Sequence, residues 1–372
     1  MRILQISCGY VFSKIYYNLF NAINSSGVEQ IVYGPIRKDE EMYIERYISD
    51  KFDLVCPCIL KKWHRITYHY KQHVLFKDLL SRIEVKKYDI VHAHTLLTDG
   101  GLAYKLKKKY GIPYVVAVRN TDINSFLDGM PHTWNDARKI LLNSERIFFI
   151  SQGLKEKFEQ HKAVRKIIPF ISNKIMVVPN GIDDVFLENI CYNRSDNHRI
   201  IYVGEFSYNK NVVRLIEAVQ QVRKEKGLGD TSITLIGGTR DKDGSVNRMI
   251  ETNDFVTFLG PIYDTNRLME LYREHTMFAM ASIHETFGLV YIEALSQGLP
   301  VLYTKGQGID GSLDVFAGIG VNPLSVEDIA KAIRSIISNQ EYYSNKTVPF
   351  DNYRWSNIGN LYFNEYQRIL EA

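Results

Sequence analysis

Long apolar runs, cysteines and metal-binding patterns are all scarce in this chain of 372 residues. No apolar stretch approaches the ~20 residues that a helix needs to cross a bilayer. The N-terminus, Met1-Arg2-Ile3-Leu4-Gln5-Ile6-Ser7, is short and strand-like. It lacks the long apolar region and cleavage site of a secretory signal, so a cytoplasmic protein is expected. The four cysteines are Cys8, Cys56, Cys58 and Cys191, and Cys56-Pro57-Cys58 is one residue short of a CxxC motif. In so long a chain they make no disulfide framework, and free thiols are expected. His69 and His73 have an i,i+4 spacing but no further ligand nearby, and no Asp-x-Asp metal motif is evident. No metal is expected.

What is present is the composition of a globular protein, 45% hydrophobic and 24% charged. The length suits two domains, each with its own core. The net charge of +4 hides an asymmetry: residues 1–170 carry 27 Lys+Arg against 17 Asp+Glu, and the remainder 19 against 25. A basic first half points to an anionic partner, either a membrane surface or a phosphorylated substrate. No nucleic-acid module accompanies it, so nucleic acid is not an expected partner. Residues 61–77 mix cations with Trp63, Tyr70 and Phe76. A helix there has the composition of an interfacial segment facing anionic lipid, and equally that of a solvated helix with its aromatics in the core.

The hydrophobic pattern alternates strand and helix. Arg2–Ser7 is a strand, Gly9 a turn, Phe12–Ile23 a helix and Ile31–Gly34 a second strand. Gly9 lets a diphosphate approach the backbone, or is simply a turn. Asp89–His94 and Tyr114–Val118 read as buried strands, the second delivering Arg119 to the carboxyl edge where open α/β sheets bind ligands. His92 and His94 form no recognisable metal set, and His92 is expected to pack. After the turn-rich hinge Pro179–Asp183 the pattern restarts with Arg199–Gly204, Ser232–Gly238, Val256–Gly260, Met277–Met280 and Pro300–Thr304. The last segment, Trp355–Leu370, is an aromatic-rich helix.

The stretch from Ser282 to Pro300 carries the most chemistry. It begins polar, passes Gly288, and becomes an apolar helix ending at Gly298 before Pro300. Glu285 precedes the helix and Glu293 lies about two turns inside it. Between them the N–H groups of Phe287, Gly288 and Leu289 are the unpaired donors of a helix start, which suit a phosphate. Two carboxylates flanking an anion site need hydroxyl partners, and a sugar nucleotide offers hydroxyls on both sides of a pyrophosphate. The plainer alternative is a surface loop and a buried helix with a stray glutamate.

Several segments, in order, carry a resemblance: Val178-Pro179-Asn180-Gly181-Ile182-Asp183, Val203-Gly204 with Lys210-Asn211, Phe258-Leu259-Gly260, Glu285 with Phe287-Gly288-Leu289 and Glu293-Ala294, and Gly298-Leu299-Pro300-Val301. Together they resemble the family 4 glycosyltransferases, tightly after residue 175 and loosely before it. The resemblance implies an α/β GT-B fold: two Rossmann-like parallel-sheet domains facing a central cleft, with a C-terminal helix crossing back. Residues 1–182 with 355–372 would form the acceptor-binding domain, and residues 183–354 the nucleotide-sugar domain. The implied activity is metal-independent, retaining transfer of a hexose from a nucleotide sugar, UDP before GDP. The acceptor would be a glycan or lipid-linked glycan, as in surface polysaccharide synthesis, at the inner face of the cell membrane. Carried over, Glu285 holds the transferred sugar, Glu293 the ribose, and the N–H groups of Gly288 and Leu289 the diphosphate and sugar. Lys210 sits on the pyrophosphate, with Gly204 and Gly9 at the sheet edges.

Two positions depart from the pattern. Glu205 stands where similar enzymes carry Arg, and Arg119 where they often carry His. Arginine is no base at neutral pH, but it can restore a lost positive charge; alternatively it pairs with Asp122 or another acid. These departures keep a catalytically silent sugar-nucleotide-binding protein in view, beside a sugar-nucleotide epimerase on the same fold.

Overall fold

The computed structural model describes residues 1–24, 27–193, 195–238, 241–313 and 316–372, without the side chains of Asn24 and Arg65. They form two compact units. One comprises Met1–Ile150, Leu154–Gly181 and Trp355–Ala372; the other comprises Ser151–Gly153 and Ile182–Arg354.

In the first unit the strands are β1 (Arg2–Ile6), β2 (Glu29–Tyr33), β3 (Ile36–Arg37), β4 (Asp53–Val55), β5 (Cys58–Leu60), β6 (Ile90–Ala93), β7 (Tyr114–Ala117), β8 (Arg146–Phe149) and β9 (Ile175–Val177). β3 and β5 make a small parallel pair. The other seven form one parallel sheet in the order β4-β2-β1-β6-β7-β8-β9. All four residues of β6 and of β7 are buried, as expected of central strands covered by helices on both faces. The second unit contains β10 (Arg199–Gly204), β11 (Ser232–Gly237), β12 (Val256–Phe258), β13 (Met277–Ala279), β14 (Val301–Thr304) and β15 (Gly318–Val321). They too are parallel, in the order β12-β11-β10-β13-β14-β15. Strand order reverses between β1 and β6 in one sheet and between β10 and β13 in the other. Open α/β sheets bind ligands outside the carboxyl ends of the strands at such a point. Both sheets are Rossmann-like, and the fold is GT-B.

The C-terminal helix, Trp355–Glu371, joins the first unit and packs on the helix Lys14–Asn24. Its apolar face, with Ile358, Tyr362 and Tyr366, enters the core that also holds Phe20, Ile23 and Phe148. Polar contacts fix its register: the Tyr366 hydroxyl lies 2.6 Å from His92 Nδ1, and Arg146 pairs with buried Glu365 at 2.9 Å.

The basic aromatic segment does not form the single helix that its composition suggests. A short 3-10 turn over Lys62–Arg65 is followed by a break, and the α-helix runs Tyr68–Arg82. The break leaves Trp63 and Ile66 outside the α-helix, 44% and 78% exposed. All four cysteines are free thiols. Among the described residues, no helix is long and apolar enough to cross a membrane.

The helix pair around Gly359 is packed without slack. A Cβ there would lie 2.5 Å from the backbone carbonyl carbon and oxygen of Ala22. Gly359→Ala is therefore expected to lower the unfolding free energy of the first unit by about 1–3 kcal/mol, the usual effect of overpacking. Urea denaturation measures it; an unchanged midpoint would contradict the tight packing.

Candidate active site

The switch point of the second sheet is built by two loops, one leaving β10 and one leaving β13. Asn209 stitches them together. Its carbonyl accepts from Ile283 N–H at 2.8 Å, its Oδ1 accepts from His284 N–H at 3.0 Å, and its Nδ2 donates to the His284 carbonyl at 2.9 Å. Asn211 adds two more ties, donating to the carbonyls of Ala281 (3.0 Å) and Pro323 (2.6 Å). It does so from a left-handed backbone, φ 59°, which asparagine tolerates better than most residues because its short side chain bonds locally.

This stitching brings together two residues far apart in sequence. Lys210 Nζ donates to Glu285 Oε2 at 2.8 Å, the side chains being 20% and 10% exposed. Ser282 Oγ donates to the same oxygen at 3.3 Å, and Thr286 N–H donates to Oε1 at 3.0 Å. The loop after β14 braces the glutamate from behind, since Gly308 N–H donates to the Glu285 carbonyl and a Cβ on Gly308 would lie 2.9 Å from Glu285 Cγ. Beneath them Tyr291 donates to the Met280 carbonyl at 2.7 Å. Burial, then the Glu285 carboxylate, pushes the Tyr291 hydroxyl well above its ordinary pKa, so it stays a donor.

Gly288 precedes the helix Leu289–Ser296 with φ 80°, and a Cβ there would meet the Tyr291 ring at 2.4 Å. The backbone N–H groups of Phe287, Gly288 and Leu289 make no hydrogen bond among the described residues. They are donors beside the Lys210–Glu285 pair, the arrangement that holds an anion. Glu293 is the fifth residue of the helix, one turn inside rather than two. Burial, then the Glu293 carboxylate, raises the pKa of the Tyr272 hydroxyl well above the ordinary value.

The edge beside this site is built of glycine. Gly204 ends β10 and pairs in register with Gly237, whose N–H donates to the Gly260 carbonyl. Gly237 has φ 112°, and a Cβ there would lie 2.1 Å from the Gly204 carbonyl oxygen, so no other residue fits. Glu205 is drawn into its own loop, its Oε1 accepting from Ser207 Oγ at 3.1 Å.

Gly9 and Arg119 belong to the first unit. Gly9 has an ordinary φ of −105° and room for a Cβ in normal contact with Tyr16, so its backbone does not require glycine. Arg119 forms no ion pair with Asp122. Its Nε donates to the His94 carbonyl at 3.2 Å and its guanidinium lies over the Tyr16 ring. Asp122 instead accepts the backbone N–H groups of Arg119 (2.9 Å) and Leu96 (3.0 Å), and burial pushes its carboxyl up to about 6. His92 and His94 stack at 3.9 Å; burial first, with Arg119 contributing, holds both well below the ordinary imidazole range.

Two further features remain. Contrary to the expectation that no Asp-x-Asp motif is present, Asp241-Lys242-Asp243 has that spacing. Asp241 and Asp243 accept from the N–H groups of Asn247 (2.9 Å) and Ser245 (3.1 Å), at the start of the helix Ser245–Thr252. Among the described residues no three metal-ligating side chains converge. A cavity of about 780 Å³ lies between the loop at 206–211, the start of the helix Val212–Val222 and residues 241–246. Asn209 and Asn211 line it, while Lys210, Glu285 and Glu293 do not, so it adjoins the site described above.

Comparison with known proteins assigns both halves. Residues 13–186 match the model described as Glycosyltransferase Family 4, and residues 192–347 the model described as Glycosyl transferases group 1. An uncharacterized glycosyltransferase of Methanocaldococcus jannaschii is 27% identical over 321 residues, 78% of each chain. The fold is shared with sucrose-phosphate synthase from Thermosynechococcus elongatus, at TM-score 0.73 and 17% identity, covering 100% of this chain and 99% of that one. It is also shared with Anabaena HepE in complex with UDP-glucose, at TM-score 0.63 and 17% identity, covering 100% and 98%.

The Asn211 ties generate a graded expectation. Asn211→Ala leaves two carbonyls without their donor and puts alanine in a left-handed backbone, at a cost of about 2–4 kcal/mol in stability. Asn211→Gly keeps the backbone relaxed and should lose about 1 kcal/mol less. Denaturant titration of both variants checks the order, and equal losses would remove the backbone argument.

Proposed function

The chain belongs to the group 1 glycosyltransferases of family 4, and from that premise we propose that it moves a hexose from a nucleotide sugar, UDP- before GDP-, to a glycan or lipid-linked glycan, with retention and without a metal. The observation that carries this reading is the Lys210–Glu285 pair at the β10/β13 switch point, beside the free N–H groups of residues 287–289. The UDP-glucose held by the HepE fold relative supports a UDP-sugar as donor.

In this reading the diphosphate lies against the N–H groups of Phe287, Gly288 and Leu289, and Lys210 carries the charge that grows on it as the glycosidic bond breaks. Glu285 accepts from a hydroxyl of the transferred hexose, and Glu293 from the ribose. The glycines at 204, 237 and 260 leave the sheet edge bare, so the nucleoside can approach the backbone. The acceptor oxygen bonds to the anomeric carbon, the bond from that carbon to the diphosphate oxygen breaks, and the acceptor's proton passes to the departing diphosphate. Arg119 supplies positive charge on the acceptor side, compensating for Glu205, which accepts from Ser207 within its own loop. The basic first half, with Trp63 and Ile66 exposed, supports a cytoplasmic protein lying peripherally on an anionic membrane surface.

Three substitutions test the assignment with UDP- and GDP-sugars. Glu285→Ala is expected to lose at least ~10-fold in kcat/KM, the lower range for a hydrogen bond to a charged group, with the fold intact by circular dichroism but less stable, because Lys210 loses its carboxylate. Glu293→Ala should weaken donor binding by ~10-fold or more while leaving the fold intact. Arg119→Ala should lower turnover without weakening the donor. Full activity in Glu285→Ala would sink the site, and donor binding with no transfer or hydrolysis by the unaltered chain would favour the silent binding protein that Glu205 brings into view.

A further inference from the structure

The first unit holds a second polar site that the roles above do not use. A cavity of about 170 Å³ is lined by Cys8, Arg37, Glu40, Lys61, His64 and Lys71, with Phe12 and Leu60 at its apolar side. The residues come from separate places: the turn after β1, the end of β3, the segment after β5 and the helix Tyr68–Arg82. Arg37 is balanced by buried Glu40, which it contacts as an ion pair and through its own backbone N–H at 2.8 Å. The two lysines have no carboxylate in contact, although the buried Asp99 carboxyl, which accepts the Cys8 N–H at 3.2 Å, lies near enough for its charge to be felt by Lys71. Among the described residues neither Lys61 nor Lys71 forms an ion pair, and Lys71 Nζ has only the Thr98 hydroxyl, at 3.2 Å.

Their charge is felt inside the cavity wall. His64 is buried, and its Nδ1 accepts the Lys61 N–H at 3.2 Å, which leaves the ring proton on Nε2. Burial, then Lys71 and Lys61, pushes its pKa below the ordinary imidazole value, so the ring is a neutral donor between two cations. Two lysines lining one small cavity leave it with an excess of positive charge, which an entering anion would offset. Their combined charge matches a phosphate, which carries roughly −1.5 to −2 at neutral pH, better than a single carboxylate. The volume lies below the ~300 Å³ typical of pockets for whole small-molecule ligands. It suits one charged headgroup and not a nucleotide.

We propose that this pocket binds a phosphate or diphosphate group carried by the acceptor, with Lys61 and Lys71 supplying the charge-assisted hydrogen bonds and Arg37, held by Glu40, forming the wall. The inference rests on the glycosyltransferase reading, and it narrows the acceptor to a phosphorylated one. The same chemistry comes from two sources, a soluble sugar phosphate or the diphosphate of a lipid carrier, and the experiment separates them.

The full chain is titrated calorimetrically with glucose 6-phosphate and with farnesyl diphosphate, each against its dephosphorylated counterpart, with UDP present to occupy the donor site. At least one phosphorylated probe should bind more tightly than its alcohol. Its affinity should fall at least tenfold in Lys61→Met and in Lys71→Met, with UDP affinity unchanged. Lys61 is exposed, so Lys61→Met tests the charge without disturbing the core. Binding of glucose 6-phosphate alone identifies a soluble acceptor, and of farnesyl diphosphate alone a lipid-linked one; either supports the pocket. Equal affinity for phosphorylated and dephosphorylated probes, or unchanged affinity in both lysine variants, overturns it. If UDP binds while every phosphorylated probe fails, only this inference falls; failure of UDP itself counts against the donor reading.

Discussion

The second unit depends on one ion pair held away from bulk water. Lys210 and Glu285 sit 75 positions apart, on loops that share neither a strand nor a helix, yet they meet at 2.8 Å. A carboxylate and an ammonium at this level of burial are stable only when their remaining hydrogen-bonding capacity is also met. Glu285 accepts from Lys210, Ser282 and Thr286, which fixes both oxygens in direction. Lys210 retains donors beyond the one given to Glu285, because an ammonium has three. An anion arriving beside it meets a charge that is already positioned and costs little reorganisation.

The rest of the unit can be read as support for that pair. Parallel strands buried on both faces leave their carboxyl ends as the place where loops emerge, and the reversal between β10 and β13 lets two of them diverge. Asn209 and Asn211 hold those loops in register through backbone atoms, so the geometry does not rest on the ion pair alone. The glycines act in the opposite sense. At Gly237 and Gly288 a side chain would strike neighbouring atoms, so the chain there is backbone only. Asparagines tie while glycines clear space, and an anion cradle with open N–H groups needs both.

The first unit follows a different logic. Its sheet edge carries buried polar groups rather than bare backbone: His92 against Tyr366, His94 against Gln5, and Asp122 against three backbone N–H groups. The C-terminal helix takes part through Tyr366 and Glu365, so the last turns of the chain help to order the sheet it returns to. Polar networks of this kind favour one packing arrangement when satisfied. The small basic cavity differs from that edge, since two of the lysines lining it form no ion pair among the described residues.

How much of this was legible depended on the range of the interaction. Strands such as Arg199–Gly204 stand out because a buried parallel strand is a short apolar run, and the paired glutamates stand out because the segments around them recur in order. The helix across residues 61–77 was misread because composition does not register the break at Ile66 and Thr67, where backbone geometry decides. The placement of Glu293 was off by a turn because the apolar run begins before the helix does, Gly288 being left-handed. Asn209 is not singled out in the sequence, and Asn211 and Ser282 stand there only as members of motifs, without the hydrogen bonds they make. The two asparagines act through backbone atoms distant in sequence and Ser282 through a side chain three residues on, and such bonds leave no periodicity. Arg119 shows the same limit from the other side: Asp122, three residues away, looked like its natural partner. That carboxyl instead caps backbone N–H groups, which leaves the guanidinium turned to His94 and Tyr16, and among the described residues it forms no ion pair. A cation left in that state by its own neighbours is the kind of group a charged substrate can use.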